Sequence, residues 1–288
     1  MDYYLQILLI VGIFITLTLS LNLINGFCGQ FSLGHAGFWG AGAYASAVYS
    51  VFFASPLLPS PVNMMIAIIV GFIAAAICGV MIGVPCLRLK GDYLAIATLG
   101  FGEIVRIIIM NTELVGGPRG FINIPHWANI TWVYAWAFIS IIFMYNLKRS
   151  AFGRAIISIR EDEIAAENMG VNLFKSKLFS FTIGAGMAGI AGALFAHTQQ
   201  FLHPSNFNFM WSVIILVMVI LGGQGSVTGS VMGAIILTII PEVLRYAGGT
   251  ISEWRMTIFP ILLIILMLLR PEGIFGAQEL RLKKRSQA

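Results

Sequence analysis

A chain of 288 residues with 58% hydrophobic and only 10% charged residues lacks the charge to cover a water-facing surface, which takes about 25%. Most of its outer surface must therefore face lipid. At roughly 20 apolar residues per crossing, the length holds eight to ten spans in a single membrane domain, residues 1–288, and excludes a sizeable soluble domain.

The start, Met1-Asp2-Tyr3-Tyr4, lacks the positive n-region of a signal peptide, and the first basic residue is Arg88. The apolar run Tyr3–Ile24 is therefore predicted to be a retained span. Further spans are predicted at Gly34–Ala54, Val62–Leu87, Asp92–Met110, Thr131–Leu147, Leu178–His197, Phe209–Gly222, Val227–Leu244 and Ile251–Leu269. The fold class is all-α, a polytopic transmembrane bundle of about nine spans. Phe209–Gly222 is short for a crossing and Gly34–Ala54 is full of glycine, so either fits a broken or re-entrant segment. Cys28, Cys78 and Cys86 show no metal-type spacing and read as reduced packing residues.

Basic residues orient the chain. Arg88 and Lys90 share one connection. Lys148, Arg149, Arg154, Arg160, Lys175 and Lys177 share the long loop 148–177. Arg270, Arg281, Lys283, Lys284 and Arg285 close the chain. With nine spans all of these fall on one side, which is then cytoplasmic, with the N-terminus outside and the C-terminus inside. A tenth span within the first 87 residues would move only the N-terminus. One internal echo stands out. Gly29-Gln30-Phe31-Ser32-Leu33-Gly34 resembles Gly223-Gln224-Gly225-Ser226-Val227-Thr228-Gly229, each between an inward and an outward span. Duplicated halves and chance likeness between glycine-rich turns both account for it.

The loop 148–177 is the most informative segment. Ser158-Ile159-Arg160-Glu161 fits a capping box. Glu161, Asp162 and Glu163 suit the first turn of a helix, and Gly170 is placed to end it. The pattern predicts one helix, Ile159–Met169, too short to span and too polar for lipid. Its Ile164, Ala165, Ala166 and Met169 form a compact knob for a partner's groove; a solvated connector lying on the membrane surface is the other reading.

Within the spans, Gly34, Gly37 and Gly40, and Gly186, Gly189 and Gly192, recur at i,i+3 and suit close helix packing. His35 is a packing histidine or a substrate contact. Glu103 and Arg106 sit three apart on one helix face inside a span, where ionisable groups are costly and face a cavity or a partner. They fit the translocation path, a pair holding a broken helix in place, or a structural ion pair near the outer interface. Thr112–Ile130, with Gly116-Gly117-Pro118-Arg119-Gly120, is an outer loop. It reads as a plain connection. The basic tail, residues 271–288, suits anionic headgroups rather than nucleic acid. No phosphate-binding loop, H-E-x-x-H or serine elbow occurs, and no catalytic, cofactor or metal residue is assigned.

Three stretches resemble one family. They are R-E-D-E-I-A-A-E-N-M-G (Arg160–Gly170) with Gly184–Gly192 after it, G-Q-F-S-L-G-H-A-G-F-W-G-A-G-A-Y (Gly29–Tyr44), and L-A-I-A-T-L-G-F-G-E-I-V-R (Leu94–Arg106). Together they are similar to the permease subunits of bacterial ABC importers for branched-chain amino acids. The resemblance implies a multi-pass protein of the bacterial inner membrane, with ATP hydrolysed on two separate cytoplasmic ATPase subunits. It also implies a second permease subunit and a periplasmic or extracellular substrate-binding protein, to which the outer loop Thr112–Ile130 would present a surface. Arg160, Glu161, Asp162, Glu163, Ile164, Ala165, Ala166, Glu167, Met169 and Gly170 would then form the helix that couples to the ATPase. Against the wider consensus E-A-A-x-x-x-G, Ile164 stands where the first glutamate is expected. Related permeases carry urea, short amides or other small polar solutes. A stand-alone secondary transporter or channel would also explain the spans and the Glu103/Arg106 pair, but not a capped, alanine-rich helix in the longest cytoplasmic loop.

Overall fold

The computed structural model describes residues 3–89 and 91–246, with 273, 274 and 276. Lys90, the predicted span Ile251–Leu269, Arg270 and the rest of the tail lie outside the described residues. Within them the chain folds as helices, joined by turns and one isolated antiparallel bridge between Phe121 and Leu202. This is what lipid demands, since a helix satisfies its own backbone where no water can.

The order is α1 (Tyr3–Leu21), α2 (His35–Val48), α3 (Ser60–Cys86), α4 (Asp92–Asn111) and α5 (Ile130–Arg149). Then come α6 (Ala151–Glu161), α7 (Glu163–Asn168), α8 (Leu173–Gln199), α9 (Phe209–Gly222) and α10 (Val227–Tyr246). α1 runs on as a π-helix through Asn22–Phe27, and α2 through Tyr49–Phe53. Every predicted span from Tyr3–Ile24 to Val227–Leu244 coincides with one of these helices. α1 with its π extension, α3, α4, α5, α8 and α10 are each long and apolar enough to cross a membrane.

Successive helices run up and down. Contacts between Arg160 and Gly26, and between Lys148 and Gly225, gather the turns 28–34 and 223–226 and the loop 150–172 at one end, the loop end. The pairing of Phe121 with Leu202 and of His203 with Pro118 gathers 112–129 and 200–208 at the far end. There Arg245, near the end of α10, lies 4.4 Å over the ring of Tyr3. The backbone of Ile274 donates to Leu221 O at 2.8 Å, so this residue sits back at the loop end.

α1 and α8 are the central helices. In their apolar windows 83% and 72% of residues are buried, against 33% in α3 and 28% in α4 and α5. Burying one apolar helix against another gains little when lipid is equally apolar, so close contact has to hold the bundle. The glycines supply it. A methyl group added at Gly71 of α3 would sit 3.0 Å from the carbonyl oxygens of both Gly42 of α2 and Gly189 of α8. Three backbones thus meet at one level with no side chain between them. Gly37 likewise lies on Gly102, where an added methyl would come 2.7 Å from its Cα.

α9 has 14 residues, about 21 Å at 1.5 Å per residue, against a hydrocarbon core of about 30 Å. It begins at Phe209, whose amide is held by Glu103. Glu103 lies about 12 Å below the far end of α4, counting eight residues to Asn111. The missing part of the column is filled by the 3-10 turn Pro204–Phe207. Phe207 is buried there against Trp39, with ring centroids 4.8 Å apart.

Candidate functional site

The loop between α5 and α8 does not form the single helix Ile159–Met169. It forms two. α6 starts eight residues earlier than expected, with Ser150 Oγ accepting from the amide of Gly153 at 2.9 Å. Gly153, Ile156 and Ile159 form its buried face. Ser158 lies inside this helix, and its hydroxyl donates back to Ala155 O at 2.9 Å, a use open to any serine whose upstream turn is already helical. The break comes at Asp162, which is extended (φ −156°, ψ 111°). Its carboxylate accepts from the amides of Ile164 at 2.9 Å and Ala165 at 3.0 Å, starting α7. The expected stop at Gly170 holds. Gly170 is left-handed at φ +84° and Val171 N donates to Ala166 O at 3.1 Å, the 6→1 bond of a Schellman end.

The faces of α7 divide cleanly. Ala166 is buried at 3% exposure, and Glu163 is ion-paired with the largely buried Lys177 of α8. These two contacts lay α7 along the start of α8. Ile164, on the face away from Ala166, is 75% exposed, and Met169, just past the end of α7, is 84% exposed, with Glu161, Asp162, Ala165, Glu167 and Gly170 exposed around them. Two bare apolar side chains on a charged rim at the end of a membrane bundle suit a protein partner better than water. Arg160 points the other way: its Nη1 donates to Gly26 O at 2.7 Å.

His35 is fully buried, with Nε2 2.6 Å from Ser20 Oγ of α1. Among the described residues its Nδ1 finds no hydrogen-bond partner, and neither do the buried Asn25 Nδ2, Gln30 Oε1 and Ser32 Oγ. These unsatisfied atoms fall on the end of α1, the non-helical stretch 28–34 and the start of α2. Such a run in a bundle core marks a place for water or a polar solute. Arg106 Nε is 2.7 Å from Glu103 Oε2, as the spacing predicts, and Glu103 Oε1 accepts from Phe209 N at 3.2 Å. His35 is thus bonded to α1, whereas the ion pair serves the start of α9. The polar staples Asn22, Thr98 and Ser212 were not singled out from the sequence. Thr98 Oγ1 accepts from Leu33 N at 3.0 Å and Ser212 Oγ from Ala36 N at 2.9 Å, tying the start of α2 to α4 and α9. Their only sequence signal is a lone polar residue within an apolar run.

The family model described as branched-chain amino acid transport system / permease component matches residues 3–268. The chain belongs to that family. It is 35% identical over 312 residues to the high-affinity branched-chain amino acid transport system permease protein LivM of Salmonella typhimurium, covering 95% of this chain and 70% of that one. Its identity to LivM of Escherichia coli is 34% over 311 residues, covering 96% and 71%. It also matches the permease protein LivH of Salmonella typhimurium, at 29% over 167 residues, covering 58% and 53%. The chain is a multi-pass membrane protein of this permease family, and two permease types of one named transport system are similar to it.

Proposed function

We propose that the chain is the membrane-spanning permease subunit of an ATP-driven importer that moves branched-chain amino acids across the bacterial inner membrane. The observation that carries the reading is the exposure of Ile164 on α7 and of Met169 at its end, at the loop end of a chain alike over nearly its whole length to LivM permeases. In this reading α7 is where an ATPase subunit docks, with Ile164, Ala165 and Met169 as the knob and Glu161, Asp162 and Glu167 as its rim. A second permease subunit, related to this chain as LivM is to LivH, completes the membrane part, and a substrate-binding protein delivers from the far end. The loop end is cytoplasmic. The return of Ile274 to that end, after α10 has reached the opposite one, supports an odd number of crossings with the N-terminus outside. His35 and the unsatisfied atoms beside it border the translocation path, while Glu103 and Arg106 support it by holding α9.

Reconstitution tests the reading. The chain, its sister permease, the two ATPases and the binding protein in liposomes should take up leucine only with ATP inside, in a way that Ile164→Asp abolishes. Uptake by the chain without ATPases or nucleotide would overturn it in favour of a stand-alone transporter.

A further inference from the structure

The two echo turns are bridged in the folded chain by Arg160, whose side chain lies against Gly29 and Gly225. Asn22, in the π-helical end of α1, accepts from Gly225 N at 2.9 Å and donates from Nδ2 to Ser226 O at 3.0 Å. This binds the end of α1 to the α9–α10 turn. Arg160, in the last turn of α6, enters the same place from the loop. Its Nη1 donates to Gly26 O at 2.7 Å. A methyl group at Gly29 would come 2.8 Å from Arg160 Cγ, and one at Gly225 2.5 Å from Arg160 Nη1. Gly29 (φ +70°) and Gly225 (φ +82°) are left-handed as well, so both the conformation and the space ask for glycine. Lys148 of α5 closes the ring with a hydrogen bond from Nζ to Gly225 O at 2.7 Å. The Arg160 side chain therefore sits in a socket of glycines, its stem against Gly29 and its guanidinium against Gly26 and Gly225. It is also paired with the exposed Glu161, the last residue before the Asp162 break.

A surface helix needs no such connection to lie on a membrane. Arg160 spans 134 residue positions to reach Gly26, and it is two residues from the hinge that carries α7. We infer that Arg160 is a positioning residue, a latch that ties the α6–α7 arm to the inner ends of α1 and of the α9–α10 turn. Displacement of α7 draws the guanidinium out of its glycine socket and loosens the junction, leaving the Asn22 hydrogen bonds to hold the end of α1 to the α9–α10 turn. Gly26 O is an end carbonyl of the π segment, so it is free to accept Arg160 when seated and water when released. The inference rests on the coupling reading of α7 above but gives Arg160 a different task. Arg160 carries the motion inward rather than touching the ATPase.

The experiment uses the complete importer in nanodiscs with Arg160→Ala and Arg160→Lys. ATPase subunits should co-purify with both variants as with the unaltered chain. In Arg160→Ala, stimulation of ATP hydrolysis by the loaded binding protein should fall by about tenfold, the worth of one charge-assisted hydrogen bond, and uptake should fall with it. Arg160→Lys keeps the charge on a single donor nitrogen but not the planar fork, and should fall between Arg160→Ala and the unaltered chain. Unaltered stimulation in Arg160→Ala would overturn the latch. So would loss of the ATPase from the complex, which would make Arg160 a docking residue and leave the proposed function standing. If Arg160→Ala fails to insert, Arg160→Lys decides: intermediate coupling supports the latch, and normal coupling or a lost ATPase overturns it. ATPases that never bind the unaltered chain would instead sink the function.

Discussion

Glu103, in the middle of α4, accepts a hydrogen bond from the amide of Phe209, 106 residues further on. A carboxylate in one membrane helix thereby caps the start of another, with Arg106 2.7 Å away to balance it. An anion at a helix N-terminus is where the backbone dipoles favour it, so the pair needs no substrate to account for its presence in a span.

Replacing Glu103 by alanine should strand Arg106 and uncap α9. The pair is about one-quarter exposed, so the cost is expected at about 1–2 kcal/mol, well under that of a fully buried pair. Thermal unfolding in detergent reads it. The double variant Glu103→Ala/Arg106→Ala should recover part of the loss, and a purely additive result would argue against the coupling.

The two alanines of α7 should behave differently although they are neighbours in sequence. Ala165→Trp lies on the exposed face and should reduce ATPase docking with little change in melting temperature. Ala166→Trp enters a buried site and should destabilise the fold by about 1–3 kcal/mol through overpacking. Co-purification and thermal shift on the same samples separate the two effects.

Removing the ion pair between Lys177 and Glu163 should loosen α7 from α8. Lys177→Ala leaves Glu163 half-buried without this partner, at an expected cost of about 2 kcal/mol. The loop should become a faster target for protease near Asp162. The swapped pair, Lys177→Glu with Glu163→Lys, should restore some of the protection. Equal cleavage in all variants would show that α7 is held by other contacts.

Gly189→Val should be the most damaging change in the bundle. An added carbon at Gly189 would lie 2.6 Å from Ala75 Cβ and closer still to the backbone of Gly71, so α8 must move away from α3. Loss of about 1–3 kcal/mol or more is expected, seen as reduced folded yield by size-exclusion chromatography. Gly100→Val, at a position with open space around it, is the matched control.

Much of this was legible in the sequence because lipid simplifies the code. Apolar windows located each helix from α1 to α10 that crosses or enters the bundle, and Gly170 marked the end of α7 by chemistry local to it. The start of that segment was misread because Ser158, Asp162 and Ser150 are all good caps. Only the buried set Gly153, Ile156 and Ile159 decides that Ser150 opens the helix and Asp162 breaks it. The pairings of Arg160 with Gly26 and of Glu103 with Phe209 could not be read at all, since nothing local links residues more than 100 positions apart.

The meeting of Gly42, Gly71 and Gly189 has a mechanical consequence. Where side chains interlock, two helices slide only by unmeshing knobs from holes, and the contact behaves like a ratchet. Three bare backbones pressed together resist separation but offer nothing to unmesh. Such a contact would serve as a fulcrum: if α2 or α3 tilts about α8 at that level, a push at the loop end swings the far end the opposite way.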